Sequence, residues 1–222
     1  MIKSIDAHIE GGSVTVCVEK DDRQKVRKQL YVDEFIGYLK NSLEEVEYTR
    51  IGALPNGYYD GSIGKAGNNK VVLVIPAGVR VMSYFDEDMN VPYPELVFFL
   101  KTDSSKLVQS HVMAKVGDKL YHYPYGNVFA DAHICWGRNQ IKDIRNLVDF
   151  NMIPQLFFGS GTNNDLYSAG TNVIKKPEFV YQRGLLETVS KLDTFPEEYL
   201  VPFKAGGKKA TLQEYTNNFL NN

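Results

Sequence analysis

Apolar and polar positions change rhythm several times along the chain, and each change marks an element. Ser13-Val-Thr-Val-Cys-Val-Glu19 alternates strictly and follows Gly11-Gly12. With Ile5 to Ile9 on the other side of the glycines, it predicts a hairpin, because a period of two belongs to a half-buried strand. From Val32 to Leu43 the period lengthens: Phe35, Ile36, Leu39 and Leu43 recur at helical spacing behind Asp33. An amphipathic helix is expected there, with Asp33 as its N-cap. Leu54 to Asn69 is dense in Gly, Asn, Asp and Pro and predicts a long loop. Four strand-like runs follow, Val71 to Pro76, Glu95 to Lys101, Leu107 to Val116 and Lys119 to Tyr123. Gly117-Asp118 joins the last two as a tight turn whose glycine takes positive φ, so the runs form an antiparallel meander.

Helical periodicity returns at Ile141 to Phe150 and at Pro177 to Leu192, where Pro177 suits a first turn because its missing N–H costs nothing there. The tail from Phe203 is polar and Asn-rich at its end, which predicts a loosely held segment. This order of elements implies an α+β fold: a four-stranded antiparallel meander flanked by helices, with an added N-terminal hairpin. The expected divisions are 1–30 for the hairpin extension, 31–195 for the core and 196–222 for the polar tail.

Composition narrows the function classes. At 222 residues, 43% hydrophobic and 23% charged, the chain has the make-up of one domain with elaborations. Its 25 Lys+Arg against 27 Asp+Glu leave a net charge of -2, so no global basic field favours nucleic acid or an anionic membrane. The longest strongly apolar run, Val71 to Ile75, is too short to span a bilayer, and Met1-Ile-Lys-Ser-Ile-Asp6 lacks the pattern of a signal peptide. A cytoplasmic protein is expected. Cys17 and Cys135 do not make a disulfide framework in a chain of this length. Cys17 lies within a predicted strand and reads as structural.

Cys135 has different company. His122, Pro124, Asn127, Asp131, His133 and Cys135 gather just after a predicted strand. Acyl transfer through a thiol needs an accessible sulfur and a donor for the oxygen that becomes negative. An Asn amide presents N–H groups without bringing a proton-transfer function of its own, so Asn127 and Cys135 form a candidate pair. Asp131 could orient an incoming amine or be a solvated loop carboxylate. Trp136 could shield the sulfur or belong to the core. His133 and Cys135, with His111 or His122, lack the paired spacing of a zinc site, and no metal is expected. Gly61, Gly64 and Gly67 with Lys65 fit neither phosphate-loop pattern, so no nucleotide is expected either.

The segment resembles the ubiquitin-conjugating family. There a His-Pro-Asn motif precedes an Ile-Cys-Leu, with the Cys eight positions after the Asn; here Asn127-Val-Phe-Ala-Asp-Ala-His-Ile-Cys135 keeps that interval. The likeness is closer to prokaryotic family D, typified by the B protein of PRTRC cassettes. It is carried by Leu120 to Phe129, Cys135-Trp-Gly137, the lead-in Pro92-Tyr-Pro-Glu-Leu-Val-Phe98 and Leu156-Phe-Phe-Gly-Ser-Gly-Thr162. Usable motifs run from Val71 to Thr162. Tyr125 and Gly126 stand in the places of the family's His and Pro, and Ala132 replaces a small turn Gly.

The resemblance implies that a ThiF-type activating enzyme passes a ubiquitin-like protein to Cys135, which hands it to an amine. Asn127 would be the oxyanion donor, with Asp131, Tyr125, His133 and Trp136 in support. ATP would be used by the activating partner, so no cofactor is expected here; a JAB-type protease is a further implied partner. The alternative is a catalytically inactive interaction scaffold of the same fold in a plasmid or mobile-element cassette. A nucleic-acid-associated role is disfavoured by the charge balance.

Overall fold

The alternating segment at the N-terminus forms strands β1 (Ile2–Glu10) and β2 (Ser13–Lys20), joined by Gly11 and Gly12 at φ 56 and φ 81. A third strand, β3 (Lys25–Tyr31), pairs antiparallel with β2, so the expected hairpin is a three-stranded sheet in the order β1-β2-β3. Helix α1 (Val32–Leu43) follows directly. Asp33 falls inside its first turn, where its charge suits the helix dipole, and the Glu34 carboxylate accepts the Tyr31 N–H at 3.1 Å. The computed structural model describes residues 2–20, 25–43, 51–137 and 141–221. The chain divides into two compact units, 1–50 and 51–222, which places α1 with the N-terminal sheet.

Residues 51–222 open with β4 (Tyr58–Ile63) and β5 (Asn69–Ile75), continue with a hairpin of β6 (Gly78–Tyr84) and β7 (Glu87–Tyr93), and then run through β8 (Glu95–Asp103), β9 (Lys106–Val116) and β10 (Lys119–Tyr121). One five-stranded antiparallel sheet has the order β10-β9-β8-β5-β4, and β6 and β7 form a separate two-stranded sheet. The four expected runs are β5, β8, β9 and β10.

The edge strand β4 corrects the reading of Leu54 to Asn69 as a loop. Gly57, at φ 72, is needed for close backbone approach: a Cβ there would lie 2.2 Å from the Val74 carbonyl oxygen, and the Val74 N–H bonds the Gly57 carbonyl at 2.7 Å. The β6–β7 hairpin left no turn signal in the sequence, because Phe85 and Asp86 take positive φ (46 and 65) without a glycine. Between β9 and β10, Val116 pairs with Lys119 across Gly117 at φ 58, as the spacing predicts.

Both faces of the large sheet are covered. Leu96, Val97, Phe98, Phe99 and Leu100 are all fully buried, the mark of a strand packed on two sides. On one face Val71, Leu73, Leu96, Phe98, Leu100, Val112 and Ala114 meet Tyr123, Tyr125, Val128, Ile134 and residues of helices α2 (Met152–Phe158) and α3 (Gln182–Val189). On the other, Val72, Val97, Phe99 and Met113 pack with Phe203, Leu212 and Phe219.

The latter residues come from the segment expected to be a loose tail. It contains the short strands β11 (Lys204–Ala205) and β12 (Lys208–Lys209) and helix α4 (Leu212–Asn221), and it is tied to β10 by Phe203 N–H to Leu120 O and Leu120 N–H to Ala210 O, each 3.0 Å. Two helix boundaries also shift. Of Ile141 to Phe150, only Leu147 onward turns, as a short 3-10 segment, before α2 begins at Met152. The Pro177 helix breaks at Tyr181, which is extended (φ -113, ψ 148), and resumes as α3. Among the described residues no helix is long and apolar enough to cross a membrane.

Candidate active site

Past β10 the backbone passes Tyr123 and Tyr125, whose buried phenols are held well above the ordinary tyrosine range by desolvation. The Tyr125 hydroxyl donates to the Pro92 carbonyl at 2.5 Å. The buried Asn172 amide donates to the carbonyls of Tyr123 and Tyr125 at 3.0 and 3.1 Å, while its oxygen accepts the Ser168 N–H at 2.9 Å. The Gly126 N–H donates to Oε1 of the fully buried Gln182 at 2.6 Å. A Cβ on Gly126 would lie 2.8 Å from both Gln182 Oε1 and Thr162 Oγ1. Proline would supply no N–H to Gln182 and would collide with both side chains. Tyr125 and Gly126 therefore hold this backbone in a way that a His-Pro pair would not.

Asn127 follows at φ 67. The Cys135 N–H bonds the Asn127 carbonyl at 2.8 Å and the Phe129 N–H bonds the His133 carbonyl at 2.9 Å, so Val128 and Ile134 form a bridged pair. Both are buried in the core. Side chains alternate along paired strands, which sends Cys135 away from that core, and it is partly exposed. The eight-residue interval between Asn127 and Cys135 is thus the length of a closed hairpin. Ala132 takes the positive φ (73) that a glycine would take more cheaply. Its N–H closes the turn on the Phe129 carbonyl at 2.8 Å, and its methyl is buried against the face that α4 covers.

The second arm also lies along β9, where Val112 N–H bonds Ala132 O at 3.0 Å and Ile134 N–H bonds Ser110 O at 2.9 Å. Asn127 Nδ2 donates to the Gly161 carbonyl at 2.8 Å, which fixes the amide and leaves it a second N–H. Gly161 belongs to the Gly159 to Thr162 stretch, anchored by Thr162 N–H to Ser83 O at 2.8 Å. It is the carbonyl between Ser160 and Thr162 that meets Asn127, and the Ser160 hydroxyl bonds Leu156 O at 2.8 Å.

Trp136 packs partly buried against the core, with Nε1 donating to Ser110 Oγ at 2.9 Å. His133 and Asp131 are close, Nδ1 to Oδ2 3.1 Å, and His133 Nε2 lies 2.9 Å from His111 Nε2. Burial opposes the ionised form of Asp131, yet the His133 backbone N–H and ring outweigh it and hold the carboxyl below its ordinary value. Burial, then the neighbouring His133, push His111 down to about 4. His122 stands apart, edge-on to Phe203 at 5.0 Å and lowered by burial. Among the described residues no group of three or more His, Cys, Asp or Glu could hold a metal ion.

Gln182, Asn172 and Gly161 escaped the sequence reading. Only Gln182 left a signal: it begins the buried stripe Gln182, Leu185, Leu186 and Val189 of α3, and a polar residue on an apolar stripe needs a partner.

Residues 40–203 match prokaryotic E2 family D, a family of ubiquitin-conjugating-like proteins. The match takes in both arms of the hairpin, the Gly159 to Thr162 stretch and Gln182, and the chain belongs to that family. Comparison with the curated proteins and with the solved structures gives no match.

Proposed function

We propose that the protein is a carrier of ubiquitin-conjugating type, with Cys135 as acyl acceptor and Asn127 as oxyanion donor. In the first step the Cys135 sulfur attacks the carbonyl carbon of a thioester on a ThiF-type activating enzyme. A new C–Sγ bond forms, the old C–S bond breaks, and the departing enzyme thiol takes the proton that Cys135 gives up. In the second, an amine nitrogen attacks the same carbon, the C–Sγ bond breaks, and Cys135 recovers a proton as the amine loses one. Each tetrahedral intermediate carries an oxyanion that the remaining Asn127 N–H would stabilise. Strands β5, β8, β9 and β10 would then be the meander of a ubiquitin-conjugating fold.

The observation that supports this reading is the 2.8 Å bond from the Cys135 N–H to the Asn127 carbonyl, which pairs the two residues across the hairpin, with Cys135 partly exposed. A ubiquitin-like protein is the partner this chemistry calls for, and the family resemblance implies a JAB-type protease. One contact favours the rival scaffold: the Asn127 amide is already engaged by Gly161.

Incubation with a ThiF-type enzyme, a ubiquitin-like protein and ATP separates the two. A thiol-sensitive adduct is expected, absent in Cys135→Ala and converted to a thiol-resistant ester in Cys135→Ser. Asn127→Ala should accept the adduct and release it to an amine on the order of a hundredfold more slowly, the effect of losing one oxyanion donor. A charged activating enzyme that leaves this protein unmodified would establish the scaffold.

A further inference from the structure

Helix α4 is joined to the acceptor hairpin by side chains that the transfer steps above do not use. The Tyr215 hydroxyl lies 2.9 Å from His111 Nδ1, and His111 Nε2 lies 2.9 Å from His133 Nε2. His133 Nδ1 is in turn 3.1 Å from Asp131 Oδ2, and the other Asp131 oxygen accepts the His133 backbone N–H at 3.2 Å. The backbone explains why the two rings meet. Flanking bonds from Val112 to Ala132 and from Ile134 to Ser110 make His111 and His133 a non-hydrogen-bonded pair, the kind whose side chains stand closest. The ring centroids are 4.0 Å apart, edge to face.

An Nε2 to Nε2 contact at this distance holds one proton, neither two nor none. With one proton shared between the rings, one arrangement that ends on the Asp131 carboxylate satisfies the whole series. Tyr215 O–H donates to His111 Nδ1, His111 Nε2–H donates to His133 Nε2, and His133 Nδ1–H donates to Asp131. Gln109, whose amide is 3.3 Å from His111 Nε2, completes the set by turning its oxygen inward, an assignment that follows from the network. Every donor then points toward the carboxylate. The groups facing His133 are Asp131 on its own loop, His111 and Gln109 from β9, and Tyr215 beyond them on α4. Cys135 is two residues further along the same paired strand, a spacing that places it on the same side as His133.

We propose that Tyr215 and His111 are positioning residues for the acceptor loop: through His133 they hold Asp131 stationary at the turn of the hairpin that carries Cys135 while an amine attacks. This rests on the carrier reading, and it assigns α4 a part in transfer as well as in the core.

The test is Tyr215→Phe, which removes one donor and keeps the ring that packs at 4.7 Å on Phe99 and 6.0 Å on Phe203, with His111→Phe as the stronger break. Three quantities are measured on the whole chain: imidazole nitrogen shifts, the pH profile of Cys135 alkylation by iodoacetamide, and the single-turnover rates of charging and of discharge to free lysine. Tyr215→Phe is expected to move the His111 and His133 resonances and to slow discharge roughly three- to tenfold, the worth of one hydrogen bond, with a smaller effect on charging. Wild-type resonances, alkylation profile and discharge in both variants would overturn the proposal. So would charging and discharge falling together in proportion to lost folded protein. If the wild-type chain takes no adduct, the carrier reading fails by itself. Resonances and alkylation then decide: movement in both sustains the positioning link, and their constancy in both variants overturns it.

Discussion

Gly126, where a His-Pro-Asn motif would put a proline, has surroundings that leave no room for any larger residue. A methyl group at this position would sit 2.8 Å from Gln182 Oε1 and Thr162 Oγ1 and 2.9 Å from the Asn163 carbonyl. Gly126→Ala should therefore destabilise the fold by about 1–3 kcal/mol, the usual cost of overpacking. Gly126→Pro should cost about 1–3 kcal/mol more, because it also leaves the buried Gln182 oxygen without its donor. Urea denaturation measures both, and a proline variant as stable as the parent would contradict the account.

His111 gives a pH dependence of definite sign. Its folded-state value of about 4 lies below the ordinary 6.5, so the stability it contributes is whole above 6.5. As pH falls through 6.5, the unfolded chain takes up a proton that the folded chain refuses, and stability declines until about pH 4. His122, also lowered by burial, acts in the same direction. Urea midpoints should fall across this window, and the decline should be shallower in His111→Phe. At this scale the Asn127 and Cys135 pair was legible because both residues lie on one short segment. Gln182, Asn172 and Gly161 were not, because contacts made across 34 to 56 residues leave no local pattern.

Among the elements, β5, β8, β9 and β10 could be read from runs of apolar residues, and the turn at Gly117 from its glycine. β4 was hidden by glycine, which normally punctuates loops but here permits the close approach of Gly57 to Val74. The helix α4 was hidden by averaging. Its segment is polar overall, yet Leu212, Thr216 and Phe219 make a narrow buried stripe, and the uninterrupted apolar run of β8 already required a cover on its second face. Phe219 stands edge-on to Phe99 with centroids 5.6 Å apart. Phe219→Ala should cost about 3 kcal/mol, the scale for removing a buried aromatic. A chain ending before Ala205 should bind a hydrophobic dye through the uncovered Val72, Val97 and Met113. A truncated chain with neither dye binding nor loss of stability would show that α4 is dispensable.

For the whole molecule, the two large apolar clusters draw every buried member from residues 71 to 219. In the N-terminal unit Val14 is the fully buried apolar side chain among the described residues. A chain beginning at Ile51 is thus expected to fold cooperatively and to alkylate at Cys135 as the full chain does, whereas the first 50 residues alone should melt with little cooperativity, as small sheets do. Calorimetry on the two pieces checks this. The α+β class followed from the order of elements. The placement of α1 with the N-terminal sheet did not, since an amphipathic stripe tells that a helix is covered and not by what.

The hydrogen bond between Cys135 and Asn127 makes the residues between them a ruler. Within paired strands a single inserted or deleted residue reverses which side chains face inward. One step of slippage would bury the sulfur and turn Ile134 out to water, so the interval can lengthen or shorten only in pairs, or at the turn between Phe129 and Ala132. What lineages of this chain must preserve is then the phase of the hairpin, more strictly than the identity of any residue along it.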